Sequence, residues 1–199
     1  MKRLIRERLA NSVAALQAVL ADEVLVAAVE AAAAATGAAL QQGGKILLAG
    51  NGGSAADAQH LAAEFVCRLT VDRVAMRAIA LTTDSSAMTA IGNDYGFEHI
   101  FSRQVEALGE PGDVFIAIST SGNSKNILMA METAKQLDMT TIGLSGRNGG
   151  AMAKLCDHKI FIPSDVTAHV QEAHLTLEHI FCHLVEREIL GGDFFDAKR

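Results

Sequence analysis

One recurrence restricts this chain more than any other feature. A short apolar run without polar alternation returns five times, at Lys45 to Ala49, Ala78 to Leu81, Val114 to Ile118, Thr140 to Leu144 and Lys159 to Ile162. Such runs suit strands covered on both faces, the condition of a parallel sheet. Parallel neighbours need a crossover connection, and most of the runs are separated by segments long enough to hold a helix. The sequence therefore predicts an α/β fold, a single doubly wound, flavodoxin-like domain with a five-stranded parallel sheet flanked by helices.

A helical extension precedes the first run. Leu9, Val13, Leu16 and Leu20 recur at spacings of three and four, the period of a helix with one buried face, and Asp22 is placed to cap a second helix that stops at Gly43-Gly44. The amphipathic segment Val170 to Leu190 predicts a closing helix, ended by Gly191-Gly192. Residues 1–43 are expected to be N-terminal helices packing on the domain and on neighbouring subunits, and residues 44–199 the domain proper with its C-terminal helix. The alanine-rich helix faces permit close packing and favour an oligomer.

Composition removes whole classes of function. Seventeen Lys and Arg against 23 Asp and Glu give a net charge of -6, and the basic residues are scattered, so no stripe exists to neutralise a run of phosphodiesters. No nucleic acid is expected as a ligand. Charged residues interrupt every long apolar stretch, and Met1 to Leu20 mixes Arg and Glu among its apolar residues where a secretory signal would not. No membrane association and a cytoplasmic location are the expectation. Cys67, Cys156 and Cys182 are odd in number and lack a CxxC pair, which argues against a disulfide framework or a thiolate zinc knuckle and assigns each as a small buried hydrophobe.

Two strand ends run into loops of one chemical type. Gly50-Asn51-Gly52-Gly53-Ser54 follows the first run and opens a helix near Ala55; Ser119-Thr120-Ser121-Gly122-Asn123-Ser124 follows the third and opens a helix over Lys125 to Leu137. Glycines let backbone amides approach an anion, hydroxyls add donors, and a helix N-terminus supplies unpaired N–H groups and a favourable dipole. Each loop suits a phosphate monoester. A Walker A loop is excluded because Gly53-Ser54-Ala55 lacks the lysine, and a dinucleotide fingerprint fails because Ala55 stands at its third glycine. Taken singly, Ser54 and Ser124 are serines at helix caps. Two such loops at the carboxyl ends of parallel strands favour a ligand.

On the helix after the first loop, His60 and Glu64 are four apart and share a face, which suits two ligands of one metal ion or a positioned acid and base. Cys67 lies seven residues beyond His60 on that face and is expected to be core. Gln171, Glu172, His174, Glu178, His179 and His183 cluster on the last helix, and for most of them a solvated face is the expectation.

Together, Gly50-Asn-Gly-Gly-Ser-Ala-Ala-Asp-Ala-Gln-His60, Glu64, Thr82-Thr-Asp84, Ile91-Gly-Asn-Asp-Tyr-Gly96, Ser119-Thr-Ser-Gly-Asn-Ser124, and Gln171-Glu172 followed by His179 resemble the phosphoheptose isomerases of the sugar isomerase (SIS) domain family, from about the first helix to residue 190. The resemblance implies a single SIS domain, an aldose-ketose isomerase acting on sedoheptulose 7-phosphate to give D-glycero-D-manno-heptose 7-phosphate for lipopolysaccharide heptose synthesis, and a homotetramer with active sites at subunit interfaces. It implies one zinc per subunit, with His60, Glu64, Gln171 and His179 matching the family's ligands. Asn51, Gly52, Gly53, Ser54, Glu64, Asn93, Asp94, Ser119, Thr120, Ser121, Ser124 and Gln171 match its substrate contacts, and Glu64 and His179 its catalytic pair.

A carboxylate and an imidazole can move a carbonyl between C1 and C2, one taking the carbon proton and the other serving the oxygens of the enediol(ate); the sequence leaves open which does which. Gln171 and His179 are eight residues apart, about 12 Å along one straight helix, so to share a metal either the helix bends or they come from different subunits. Two departures from the family pattern are Asp72-Arg-Val-Ala-Met-Arg77, which lacks a proline, and His169, where a basic residue is usual. The competing functions are a non-catalytic relative of the DnaA initiator-associating type, which needs no acid/base pair, and a SIS sugar-phosphate sensor, which needs no zinc set.

Overall fold

The computed structural model describes residues 1–191. Five parallel strands form one sheet in the order β2-β1-β3-β4-β5, with β1 Ile46–Gly50, β2 Ala78–Ala80, β3 Val114–Ile118, β4 Thr140–Gly146 and β5 His158–Ile162. All five expected runs are strands. The central strands β1 and β3 are buried throughout, whereas edge strand β2 leaves Ile79 41% exposed.

Alternate strand residues enter two cores, as the two-residue period of a strand requires. Ile46, Leu48, Ile116 and Ile118 face the layer of α2 (Glu23–Gln41), α3 (Gly53–Val66) and α7 (Thr167–Leu190). Leu47, Ala49, Phe115 and Ala117 face α5 (Ser102–Leu108) and α6 (Lys125–Gln136). Each large aliphatic or aromatic side chain fully buried in these layers contributes roughly 1.5–3 kcal/mol. The helix α4 (Ser85–Asp94) begins on the Asp84 carboxylate, which accepts from the Ala87 N–H at 2.9 Å.

The helices α1 (Lys2–Leu20) and α2 form as expected, and the Asp22 side chain caps α2 by accepting from the Leu25 N–H at 3.0 Å. The inner face of α2 packs on α7 and β5 and shares the core of that layer. The face of α1 expected to be buried is covered only at Leu16, which packs against the core: Leu9 is 62% exposed and Val13 52%, and Leu4, Ile5 and Leu20 join them at the surface. Periodicity showed that the face is apolar, but the described residues leave most of it uncovered. The helix α2 is long and apolar enough to cross a membrane by length and composition, despite Glu30, so the expectation that charge interrupts every such stretch fails there; a third of that window is buried inside the chain (33%). Cys182 is buried and Cys156 half-buried, but Cys67 caps the end of α3 and is exposed, contrary to its core assignment. Gly192, expected to help end α7, lies outside the described residues.

Candidate active site

The strand order reverses between β1 and β3, and open α/β sheets bind ligands at such a switch point, beyond the carboxyl ends of the strands. Gly50 pairs in register with Ile118, so the two hydroxyl-rich loops leave the sheet side by side. The first loop turns at Gly52, whose φ of +58° favours glycine, and α3 starts at Gly53, earlier than the expected Ala55. Ser54 is buried in the first helical turn. In the second loop the Ser119 and Ser124 hydroxyls lie 3.2 Å apart, Ser124 precedes α6 without capping it through its side chain, and the Ser121 hydroxyl accepts from the Asn123 N–H.

A reciprocal amide pair fastens the loops together. Asn51 and Asn126 each donate a side-chain N–H to the other's carbonyl oxygen, at 2.9 and 2.8 Å. Asn126, buried at the start of α6, was not among the expected site residues; its only sequence signal is its place after the second loop. A cavity of about 280 Å³ opens between Asn51, Ser124, Lys125, Asn126, Phe97 and Glu98. On the other side of the second loop, Thr120 and Ser121 border a cavity of about 320 Å³ that reaches Arg147 and Thr167.

The helices α3 and α7 run side by side in the same direction. Their contacts keep step: Gly53 meets Gln171, His60 meets His179, and Phe65 meets Phe181 edge-to-face at 6.0 Å. His60 Nε2 and His179 Nε2 are 2.8 Å apart, one ring donating its N–H to the other's lone pair, and a Glu64 carboxylate oxygen lies 3.8 Å from His60 Nε2. All three ligand atoms fall within 4.8 Å of one another. Donors about 2.0–2.1 Å from a tetrahedral zinc stand roughly 3.3 Å apart, so the two imidazoles and one carboxylate fit such an ion once the imidazoles part by about half an ångström and the carboxylate closes in by about half an ångström to about 1.5 Å, within the reach of side-chain rotation.

Gln171 is not beside this trio. The helix α7 is continuous over Thr167–Leu190, and Gln171 lies about two turns before His179, its amide packed so close to Gly53 that a Cβ there would collide with it. Asn93 and Asp94 sit exposed at the end of α4, where the Asn93 amide donates to the Asp94 carboxylate at 2.7 Å.

The expected solvated face of α7 is only partly solvated. His174 and Glu178 are 0% and 1% exposed. His174 Nε2 lies 3.2 Å from the Ser145 carbonyl oxygen, its Nδ1 has no partner among the described residues, and burial pushes its pKa down to about 4 against the lift of that hydrogen bond. Neither Glu178 carboxylate oxygen has a partner among the described residues; burial, assisted by the nearby Asp57 charge, pushes its pKa up to about 8. Burial also raises the Asp57 carboxyl, against the opposing charge of His60.

A parallel sheet with two glycine- and hydroxyl-bearing loops at its switch point and a His–Glu–His cluster on the adjoining helices is the arrangement of a sugar-phosphate isomerase type of domain. The sequence model of the SIS domain matches residues 9–146. Phosphoheptose isomerase 2 of Campylobacter jejuni is 54% identical over 190 residues, covering 96% of this chain and 94% of that one. The phosphoheptose isomerase of Aneurinibacillus thermoaerophilus is 50% identical over 198 residues, covering 100% of both. The structure of the phosphoheptose isomerase from Neisseria gonorrhoeae superposes with a TM-score of 0.86 at 45% identity, covering 93% of this chain and 98% of that one. The chain belongs to the SIS domain family, and within it to the phosphoheptose isomerases.

Proposed function

We propose that the chain interconverts D-sedoheptulose 7-phosphate and D-glycero-D-manno-heptose 7-phosphate through an enediol(ate). The observation that carries the reading is the convergence of His60, Glu64 and His179 on the helix pair beside the strand-end loops. A non-catalytic relative of the initiator-associating type has no use for that cluster, and a sugar-phosphate sensor needs only the loops.

The phosphate is held by the hydroxyls and amides around Ser54, Ser119, Thr120, Ser121 and Ser124, with the amides of Gly52 and Gly53 turned to the same ligand. Asn51, Asn93, Asp94 and Gln171 bind the sugar hydroxyls. Glu64 removes the proton from C1 of the ketose and returns it to C2, while His179 moves a proton between the two oxygens so that the carbonyl ends at C1. Zinc, one per subunit, is assigned to His60, Glu64 and His179, with Gln171 as fourth ligand in the assembled protein. When bound it would polarise the substrate oxygens and stabilise enediolate charge.

The assembly is a homotetramer with sites at subunit interfaces, residues 1–43 supplying helices that cover neighbouring subunits and residues 44–199 the catalytic domain; the uncovered apolar face of α1 supports this. A cytoplasmic location and delivery of the product to lipopolysaccharide heptose synthesis complete the reading. The test is proton NMR of the reaction in D2O with and without a zinc chelator. Deuterium entering beside the carbonyl, lost on chelation and abolished in Glu64→Gln while substrate still binds, is the expected result. Full activity of Glu64→Gln would sink the mechanism, and no turnover with zinc restored would favour the non-catalytic relative.

A further inference from the structure

Beyond the site, on the same two helices, lies a buried charged cluster that the mechanism does not use. Glu186 of α7 is 0% exposed and follows His179 by seven residues, on the same face of the helix. Arg73, on the segment after α3, has its side chain 1% exposed and donates from Nε to Glu186 at 2.8 Å. Its two remaining nitrogens turn to the end of α3: Nη2 donates to the Glu64 carbonyl oxygen and Nη1 to the Phe65 carbonyl oxygen, both at 2.8 Å. Glu186 also accepts from the Leu69 N–H at 3.2 Å and the Thr70 hydroxyl at 2.7 Å. One guanidinium thus joins the backbone of Glu64 to the helix that carries His179.

We propose that Arg73 and Glu186 are positioning residues for the isomerase, a clamp that sets the spacing and rotation of α3 against α7 and so holds His60, Glu64 and His179 at ligand distance. The proposal rests on the function assigned above. The contacts of the helix pair form a series, Gly53 on Gln171, His60 on His179, Phe65 on Phe181, then the clamp on Glu186. The upper contacts run between side-chain ends and hold the helices less firmly: a flexible amide meets a glycine, two imidazoles share one hydrogen bond, and two phenyl rings meet edge-to-face. Among the described residues the clamp ties the carbonyl end of α3, where the Met76 N–H also donates to the Phe65 carbonyl oxygen at 3.1 Å, to a side chain of α7, and the guanidinium complements the helix dipole.

A buried ion pair adds little net stability over a well-packed apolar pair, so its distinctive contribution is geometry. Arginine is the suitable cation, because its rigid fork binds a carboxylate and two carbonyls at once where a lysine ammonium cannot. Misplacement of reacting groups by about 1 Å costs on the order of 100-fold in rate, so holding this register bears directly on turnover.

The test uses the full-length protein and three variants. Glu186→Gln removes the charge and keeps the shape, Arg73→Lys keeps the charge and loses the fork, and Thr70→Val removes one bond at an exposed position. Circular dichroism and elution volume report fold and assembly. Zinc affinity is read by competition with a chromophoric chelator, kcat and KM with sedoheptulose 7-phosphate, and the His60–His179 ring contact by imidazole NMR shifts of the metal-free protein.

Folded Glu186→Gln is expected to lose about 10–100-fold in both zinc affinity and kcat, the usual effect of removing a group that orients metal ligands, with KM changed by less than about threefold. Its imidazole signals move away from the wild-type positions, and Arg73→Lys shows a smaller change of the same kind. Folded variants with wild-type zinc affinity, kcat and imidazole shifts overturn the proposal. If both charge variants fail to fold, Thr70→Val must move the imidazole signals, and unchanged signals there refute the clamp. Wild-type protein that neither binds zinc nor isomerises would sink the functional reading alone, since the imidazole shifts still decide whether the clamp sets the helix pair.

Discussion

Replacing His174 by Gln should make the protein more resistant to acid, by an amount that grows as pH falls. The imidazole is 0% exposed, lies within hydrogen-bond distance of the Ser145 carbonyl oxygen, and has no partner for Nδ1 among the described residues. Burial disfavours the imidazolium and lowers the pKa from 6.5 to about 4, although the Ser145 bond works the other way. The folded chain therefore binds this proton later than the unfolded chain does. Stability from His174 is present above pH 6.5 and is lost as pH falls towards 4, because the unfolded state gains protons first.

At pH 5 the unfolded histidine lies 1.5 units below its pKa while the folded one is still mostly neutral, a loss of about 2 kcal/mol, rising to about 3 kcal/mol near pH 4. Glutamine can donate an amide N–H to Ser145 and does not titrate, so His174→Gln escapes this loss. Urea unfolding of chelator-treated wild type and variant, at one protein concentration and at pH 7, 6 and 5, gives the difference in stability, with unrelated carboxylates common to both. The reasoning predicts that the difference shifts towards the variant by about 2 kcal/mol between pH 7 and pH 5. A difference that stays flat with pH would show that His174 titrates normally, and hence is not sealed from water.

Three further outcomes follow from the site and surface. Gly53→Ala places a methyl on the Gln171 amide; displacing that flexible side chain should lower kcat about tenfold or more, while the melting temperature changes little because alanine favours the helix, and equal loss of both would contradict it. Asn126→Ala strands the Asn51 amide, which should cost about 1–3 kcal/mol in chemical denaturation and raise KM for the sugar phosphate; an unaltered KM would separate the amide pair from the substrate loops. Val13→Glu puts a charge on the exposed apolar face of α1 and should lower the molar mass seen in sedimentation equilibrium, whereas an unchanged mass would mean that α1 lies outside the subunit interface.

The sheet was legible because its signal is local. Val114 to Ile118 is buried at every position, and a continuous apolar run states that directly. The loops were legible too, since glycines and hydroxyls at strand ends announce an anion cradle within a few residues. The apolar stripe of α1 was equally plain, yet periodicity reports only that a face is apolar and not what covers it. His174 and Glu178 were expected on a solvated face because their burial depends on how α7 meets the sheet and α3. Asn51 with Asn126 and Arg73 with Glu186 join residues 75 and 113 apart, and each is an ordinary polar residue until the fold brings its partner.

The placement of the site separates two demands. On the proposed reading anion binding is left to loops, where backbone amides serve and small shifts are tolerated. The cluster that must keep ångström tolerances is built on α3 and α7, and helices hold side chains more precisely than loops do. This arrangement ties the site to assembly, because α1, whose outer face is uncovered in one chain, packs on both α2 and α7. Covering that face in the proposed tetramer would restrain α1, hence α7, hence His179. Assembly would then act on the His–Glu–His geometry through the helix layer, in addition to any residue that a second copy brings to the site.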